Sequence, residues 1–212
     1  MNFELSKEHR MAQQLFRSFA EKEVRPLAQE VDENERFPSE TVEKMARYGF
    51  LGIPCSREWG GQGCDTLTYV LCVEELSRAC ATTGVIVSAH TSLACDPIEK
   101  YGTAEQKRKY LPDLLSGRKL GAFALTEPGA GTDASGQQTR AVPEGDNYRL
   151  NGSKIFITNA GQADIYIVFA MTDKSQGTRG ISAFIVEKDF PGFSVGKKEL
   201  KMGIRGSSTC EL

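Results

Sequence analysis

The sequence predicts an α+β chain, with an all-α helical region followed by an antiparallel, barrel-like β region. Two observations carry this reading. From residue 6 to about 117, apolar residues recur at helical spacing, and caps and breakers stand between the runs. From about residue 118 the rhythm changes to short runs rich in β-branched and aromatic residues, with no helical stretch between them. The boundary falls near Gly117, giving expected domains 1–117 and 118–212.

Ser6 caps a long amphipathic segment that runs to about Asp32, with Met11, Leu15, Phe19 and Leu27 as its apolar face and Pro26 as a break or kink. Phe37-Pro38-Ser39 opens a second helix ending at Gly49, and the turn-rich IPCSREWGGQGCD follows. Helical patterns return at 66–80 and 83–101. Thr103 and Gln106 then form a T-x-x-Q capping box for a last helix ending near Ser116-Gly117. The strand candidates are KLGAFALT, QQTRAV, YRL, KIFIT, DIYIVFAM and ISAFIVE. Asn151-Gly152, between YRL and SKIFIT, reads as a type I′ hairpin turn, because both central positions of that turn need positive φ.

Composition excludes several function classes. The 212 residues are 25% charged with a net charge of −2, which gives no electrostatic footprint for nucleic acid or an anionic membrane. No apolar run approaches the length of a bilayer span. The opening MNFELSKEHRMAQQLF reads as a charged helix and lacks the marks of a secretory signal or an Arg/Ser-rich transit peptide, so the expected compartment is the cytoplasm. Six cysteines without a C-x-x-C pair, beside two histidines, argue against zinc ligation. Cys72 and Cys80, in a helix-like segment, read as small buried hydrophobes.

The stretch FALTEPGAGTDASG, residues 123–136, concentrates glycines and hydroxyls behind an apolar run. Gly129, Gly131 and Ala134 satisfy a loose G-x-G-x-x-A dinucleotide turn, but Pro128 precedes them and a strand, not a helix, follows Gly136. The match is accidental. A loop of this composition could still bind an anion through main-chain N–H groups and the hydroxyls of Thr126, Thr132 and Ser135, or could be a tight turn only. In KIFITNAG, residues 154–161, strand alternation places Phe156 and Thr158 on one face, as a floor for a planar ring or as a packed sheet face.

Taken together, ALTEPGAGTDASG, LNGSKIFITNAG, GISAFIVEK, PGF and GKKELKMGIRGSST resemble acyl-CoA dehydrogenases, most nearly the short-chain, butyryl-CoA type. EWGGQG, VEELSR and YGTAEQKRKYLPDLLSG are similar to the helical N-terminal domain of that family. The resemblance covers nearly the whole chain. It implies an enzyme that oxidises an acyl-CoA thioester between Cα and Cβ, with FAD lying between the β domain and the helices. It further implies that Phe123, Ala124, Leu125, Thr126, Gly131 and Thr132 line the flavin and its pyrophosphate. Leu125 and Thr126 would bond the pyrimidine edge, and Gly131 and Thr132 would approach the diphosphate and the CoA pantetheine. Phe156, Ile157 and Thr158 would cover the other side of the ring, with the Thr158 hydroxyl near N5. Donors aimed at charge that develops on the reduced ring favour reduction. Many members carry tryptophan where Phe156 stands here, and either ring gives a flat wall. Ile86, Ala89 and Leu93 would face the acyl tail. His90, on the same helix, reads as a packing or surface residue, and Glu127 matches a structural glutamate rather than the base.

In the family the β domain continues past the segment that STCEL resembles, and a C-terminal helical bundle follows. That bundle supplies the catalytic glutamate, part of the FAD site and the homotetramer. The expectation is therefore that the β domain is truncated, that the catalytic base lies beyond Leu212, and that the chain alone is inactive and poorly stable. The resemblance implies an electron-transfer flavoprotein as acceptor. Half of a split enzyme, or a non-catalytic flavin- or CoA-binding module, stands as the alternative.

Overall fold

Ser6 begins the first helix as expected: its Oγ accepts the His9 main-chain N–H at 3.2 Å, and α1 spans Lys7–Phe19. The computed structural model describes residues 4–212. The predicted long helix reaches Glu33 in three pieces, namely α1, a π-helical turn at Ala20–Val24 and α2 at Arg25–Glu33. Pro26 explains the π turn. It has no N–H for the Lys22 carbonyl and its ring crowds that oxygen, so the helix widens and the Arg25 N–H reaches Ala20 O. The buried stripe differs from the predicted one: Phe16, Phe19, Ala20, Val24 and Val31 are buried, whereas Met11 and Leu15 are exposed. Phe16 and Phe19 each meet the Phe50 ring edge-on, at 5.1 and 4.9 Å, and that packing sets the helix rotation.

The same device recurs downstream. The segment predicted as one helix over 83–101 is α5 (Ala81–Ser88), a π-helical stretch (Ala89–Cys95) and α6 (Asp96–Tyr101), with Pro97 as the second residue of α6. Between these lie α3 (Ser39–Arg47) and α4 (Thr66–Ala79), the latter capped by Asp65, and α7 (Ala104–Leu115) closes the series. The Thr103/Gln106 capping box is present, and Gly117 at φ +73° stops the chain beyond α7. Met45, Leu51, Leu76, Ile86, Leu111 and Leu114 form the fully buried centre of these helices. The chain divides into two units: residues up to Lys119 with Leu200–Ser207, and Leu120–Glu199 with Ser208–Leu212. Leu200–Ser207 joins the helical unit through Arg205, whose main-chain N–H and Nε both donate to Asp32, each at 3.2 Å.

The second unit holds β1 (Gly121–Ala124), β2 (Arg140–Glu144), β3 (Asn147–Asn151), β4 (Ile165–Met171) and β5 (Ile181–Glu187). The antiparallel expectation holds only in part. β2–β3 and β4–β5 are antiparallel, but β1 runs parallel to β4 and β2 meets β4 in parallel through Arg140 and Met171. The chain between β1 and β4 is long enough for a crossover, which short-range strand patterns do not reveal. The sheet is mixed, with β4 at its centre, and does not close into a barrel among the described residues.

Two local expectations fail here. The β2–β3 turn is Gly145-Asp146, with Gly145 at φ +60°, and Asn151-Gly152 instead ends β3 beside Thr139, whose Oγ1 would lie 2.4 Å from a Cβ on Gly152. KIFIT is not a strand: Phe156 and Asn159 have φ of +59° and +67°, and the segment keeps only isolated main-chain exchanges, Lys154 with Leu212 and Ile157 with Cys210. Tyr166, Ile157, Val168, Ala122, Ala124 and Cys210 share the core of this unit.

Candidate functional site

The residues singled out between 123 and 132 and between 156 and 158 lie in the β unit, on two segments that main-chain bonds join directly. β1 ends at Ala124, and the Thr126 carbonyl then accepts the Ile155 N–H at 2.9 Å. Two residues on, the Ile157 N–H donates to Cys210 O at 3.0 Å and the Cys210 N–H returns to Ile157 O at 3.1 Å. Phe156 sits between these anchors. It is 59% exposed and holds φ +59°, a conformation that costs an L-residue about 1–2 kcal/mol. A bulky side chain in that region is an outlier that its surroundings must impose, and such outliers concentrate at functional sites. Beneath the segment, the buried Tyr166 hydroxyl is shared between Ala160 O at 2.7 Å and Ala163 O at 2.9 Å. The exposed aromatic is thus displayed on a braced support.

The nominated residues divide by exposure. Ala124 and Ile157 are buried in the core, and Phe123 is half-buried against Phe169 with ring centroids 5.0 Å apart. Leu125, Thr126 and Thr158 are half-buried, while Gly131 and Thr132 are exposed. Glu127 and Ala130 exchange main-chain bonds at 3.1 Å each, making a tight turn that carries the glycine loop outward. A Cβ built on Gly129 or Gly131 meets nothing within 4 Å, so a ligand can come directly onto bare backbone there. An exposed aromatic wall, hydroxyls at Thr126 and Thr158, and open glycine backbone fit a planar heterocycle carrying an anionic group.

Sequence reasoning missed the residue that ties these segments together. Lys154 is buried, and its ammonium donates to Glu127 Oε1 at 2.7 Å, Leu125 O at 3.0 Å and Gln137 Oε1 at 3.2 Å. A lysine ahead of an apolar run carries no signal in one sequence; only the fold shows it facing inward. Glu127, read as structural, also accepts the main-chain N–H groups of Gln138 at 2.5 Å and Thr139 at 3.0 Å. Burial pulls its carboxyl up, and the hydrogen bonds from Gln138, Lys154 and Thr139 more than reverse this, leaving it below the usual range. Burial also draws the Lys154 ammonium below its usual range, with Glu127 opposing the shift.

The three residues nominated for an acyl tail lie in the helical unit. Ile86, on α5, and Ala89, at the start of the π-helical stretch, are buried, whereas Leu93 is 40% exposed. His90 is fully buried, and its Nε2 lies 3.1 Å from the Leu114 carbonyl. Burial pulls its pKa down to about 4, against that hydrogen bond, so the ring is neutral and donates from Nε2. It packs the interior and offers nothing to a ligand.

Residues 6–118 match the model of the acyl-CoA dehydrogenase N-terminal domain, and residues 122–212 match that of the acyl-CoA dehydrogenase middle domain. The chain belongs to the acyl-CoA dehydrogenase family. It is 60% identical over 212 residues to the short-chain-specific acyl-CoA dehydrogenase of Clostridium acetobutylicum, covering all of this chain and 56% of that protein. Among solved structures, the butyryl-CoA dehydrogenase of Megasphaera elsdenii matches with TM-score 0.95 and 49% identity, over 100% of this chain and 56% of the other. A structure described as an electron transferring flavoprotein of Acidaminococcus fermentans matches with TM-score 0.96 and 53% identity, again over 100% and 56%. The chain therefore spans about half the length of the relatives it matches.

Proposed function

We propose that this chain carries the flavin- and acyl-CoA-facing part of an FAD-dependent dehydrogenase that converts short-chain acyl-CoA thioesters to trans-2-enoyl-CoA. The observation that supports it most is Phe156, a solvent-facing aromatic held at positive φ beside Thr126 and Thr158 by the Ile155–Thr126 and Ile157–Cys210 bonds. FAD, when bound, supplies the hydride acceptor. Phe156 would form one wall for its ring, Leu125 and Thr126 would hold its pyrimidine edge, and Thr158 would offer it a hydroxyl donor. Gly131 and Thr132 would let the diphosphate and the pantetheine approach the backbone, and in the helical unit Ile86, Ala89 and Leu93 are assigned to the acyl tail.

No carboxylate of this chain is assigned the α-proton. Glu127, the buried carboxylate of the signature, is committed to Lys154 and two main-chain donors, so it cannot serve as the base. On this reading the base belongs to the part of the longer relatives that this chain does not span. The same reading takes an electron-transfer flavoprotein as the acceptor, a homotetramer as the assembly and the cytoplasm as the compartment. Titrating the chain with FAD and following quenching of flavin fluorescence tests the proposal, and saturable one-to-one binding is expected. Butyryl-CoA should then perturb the bound flavin's spectrum without turnover to an artificial acceptor. Absence of FAD binding by folded chain would sink the reading.

A further inference from the structure

We propose that Lys154 is a positioning residue for the flavin site, and that its ammonium fixes the ligand-facing segments of the β unit relative to one another. The inference rests on the site reading above and extends it to a residue that touches no ligand. Each of its three N–H donors has a partner on a different part of the site. Leu125 O belongs to the stretch after β1, Glu127 Oε1 to the neck of the glycine loop, and Gln137 Oε1 to the turn before β2. Lys154 itself begins the segment that displays Phe156 and Thr158, and its main-chain N–H and C=O are both taken up by Leu212, at 2.9 and 2.8 Å. One buried side chain therefore links the segments bearing Leu125 and Thr126, Gly131 and Thr132, and Phe156 and Thr158.

The loop most in need of such a tie is 127–139. Its outer residues Pro128, Gly129, Gly131 and Thr132 are exposed, and the two glycines have open space around them. It is closed at the neck from both sides, since Glu127 accepts Gln138 and Thr139 N–H while pairing with Lys154. Gln137 passes the constraint on, donating from Nε2 to Ala134 O at 3.3 Å. An ordinary buried ion pair contributes little net stability and serves better to specify one arrangement. Here that arrangement sets the direction of the Leu125–Thr126 backbone and the entry of the glycine loop, so removing the lysine should misplace ligand-facing groups without deleting any of them.

Two variants of the full chain test this. Lys154→Met leaves Glu127 buried without its cation and tests the tie at the risk of the fold. Lys154→Met combined with Glu127→Gln removes both charges and keeps the volume. The double variant should keep a native circular-dichroism spectrum while its FAD dissociation constant rises by about tenfold or more, and the visible bands of the bound flavin should lose their wild-type shape. A purely structural lysine would lower the melting temperature and leave affinity per folded molecule and band shape alone; that result overturns the inference. If neither variant folds, hydrogen exchange on the wild type decides. FAD should slow the Gln138 and Thr139 amides, and unchanged rates at saturation refute the coupling. Wild-type chain that binds no FAD would overturn the site reading itself, whereas wild-type binding with an equally competent double variant overturns only the role of Lys154.

Discussion

Replacing Phe156 separates the cost of displaying a ring from its use. Removing the whole side chain in Phe156→Gly relieves the positive-φ strain, about 1–2 kcal/mol in favour of the variant. Against that stand the larger entropy of an unfolded glycine, about 0.4–1 kcal/mol, and the lost packing. The side chain is 59% exposed and a fully buried phenylalanine contributes about 1.5–3 kcal/mol, so the packing lost is about 1 kcal/mol. These nearly cancel, and stability should change by no more than about 1 kcal/mol, against the ~3–5 kcal/mol of an ordinary core phenylalanine truncation. Phe156→Ala loses the same packing but keeps the Cβ and its strain, so it should be the less stable of the two by about 0.5–1 kcal/mol, reversing the usual order of alanine and glycine. Both variants should lose about 1–2 kcal/mol of FAD binding, a five- to thirtyfold weaker constant. Urea unfolding followed by circular dichroism, with flavin fluorescence titrations, measures both. Alanine matching or exceeding glycine in stability, or unaltered FAD affinity in both, would refute the argument.

Three further outcomes follow from the same structure. The His90 pKa falls from an ordinary 6.5 to about 4 on folding, so the unfolded chain binds the extra proton between those values. Stability fully present above about pH 6.5 should drain by about 3 kcal/mol as pH falls towards 4, and His90→Gln should flatten that window in urea titrations at successive pH values. Gly180→Ala should disrupt the β4–β5 connection, because the new Cβ would lie 1.7 Å from the Asp173 carbonyl while Gly180 O accepts the Thr172 and Asp173 N–H groups; a loss above about 2 kcal/mol, read by thermal melting, is expected. Thiol titration should find Cys64 reacting fast and Cys80 next. The buried Cys55, Cys72, Cys95 and Cys210 should wait for unfolding, since burial pushes the thiols of Cys55, Cys72 and Cys95 up and keeps them protonated.

Signals confined to a few neighbouring residues are legible in the amino-acid sequence alone. Ser6 and the Thr103–Gln106 box announce their helices, and Pro26 announces a disturbance, because caps and prolines act within one turn. The apolar spacing of α1 misleads in part: Met11, Leu15 and Phe19 fit the period, yet only Phe19 of these is buried, and Phe16 joins it through the partner ring of Phe50, which lies outside that helix. KIFIT has strand composition, but its neighbours hold Phe156 and Asn159 at positive φ, a long-range imposition that overrides local propensity. Asn151-Gly152 has the better turn signature, and the chain turns at Gly145-Asp146 because the β2–β3 register aligns Glu144 with Asn147.

The sequence by itself determined the helical and sheet halves, the individual strands other than KIFIT, and the family likeness from which residues were nominated to face a flavin, because periodicity, caps and motif order are local properties of the chain. The tertiary structure alone decided that β1 runs parallel to β4, that Phe156 is held out on strained backbone, and that Lys154 turns inward to Glu127, Leu125 and Gln137. Each of these depends on groups far apart in sequence, and burial is what gives a charge pair or a strained φ its meaning.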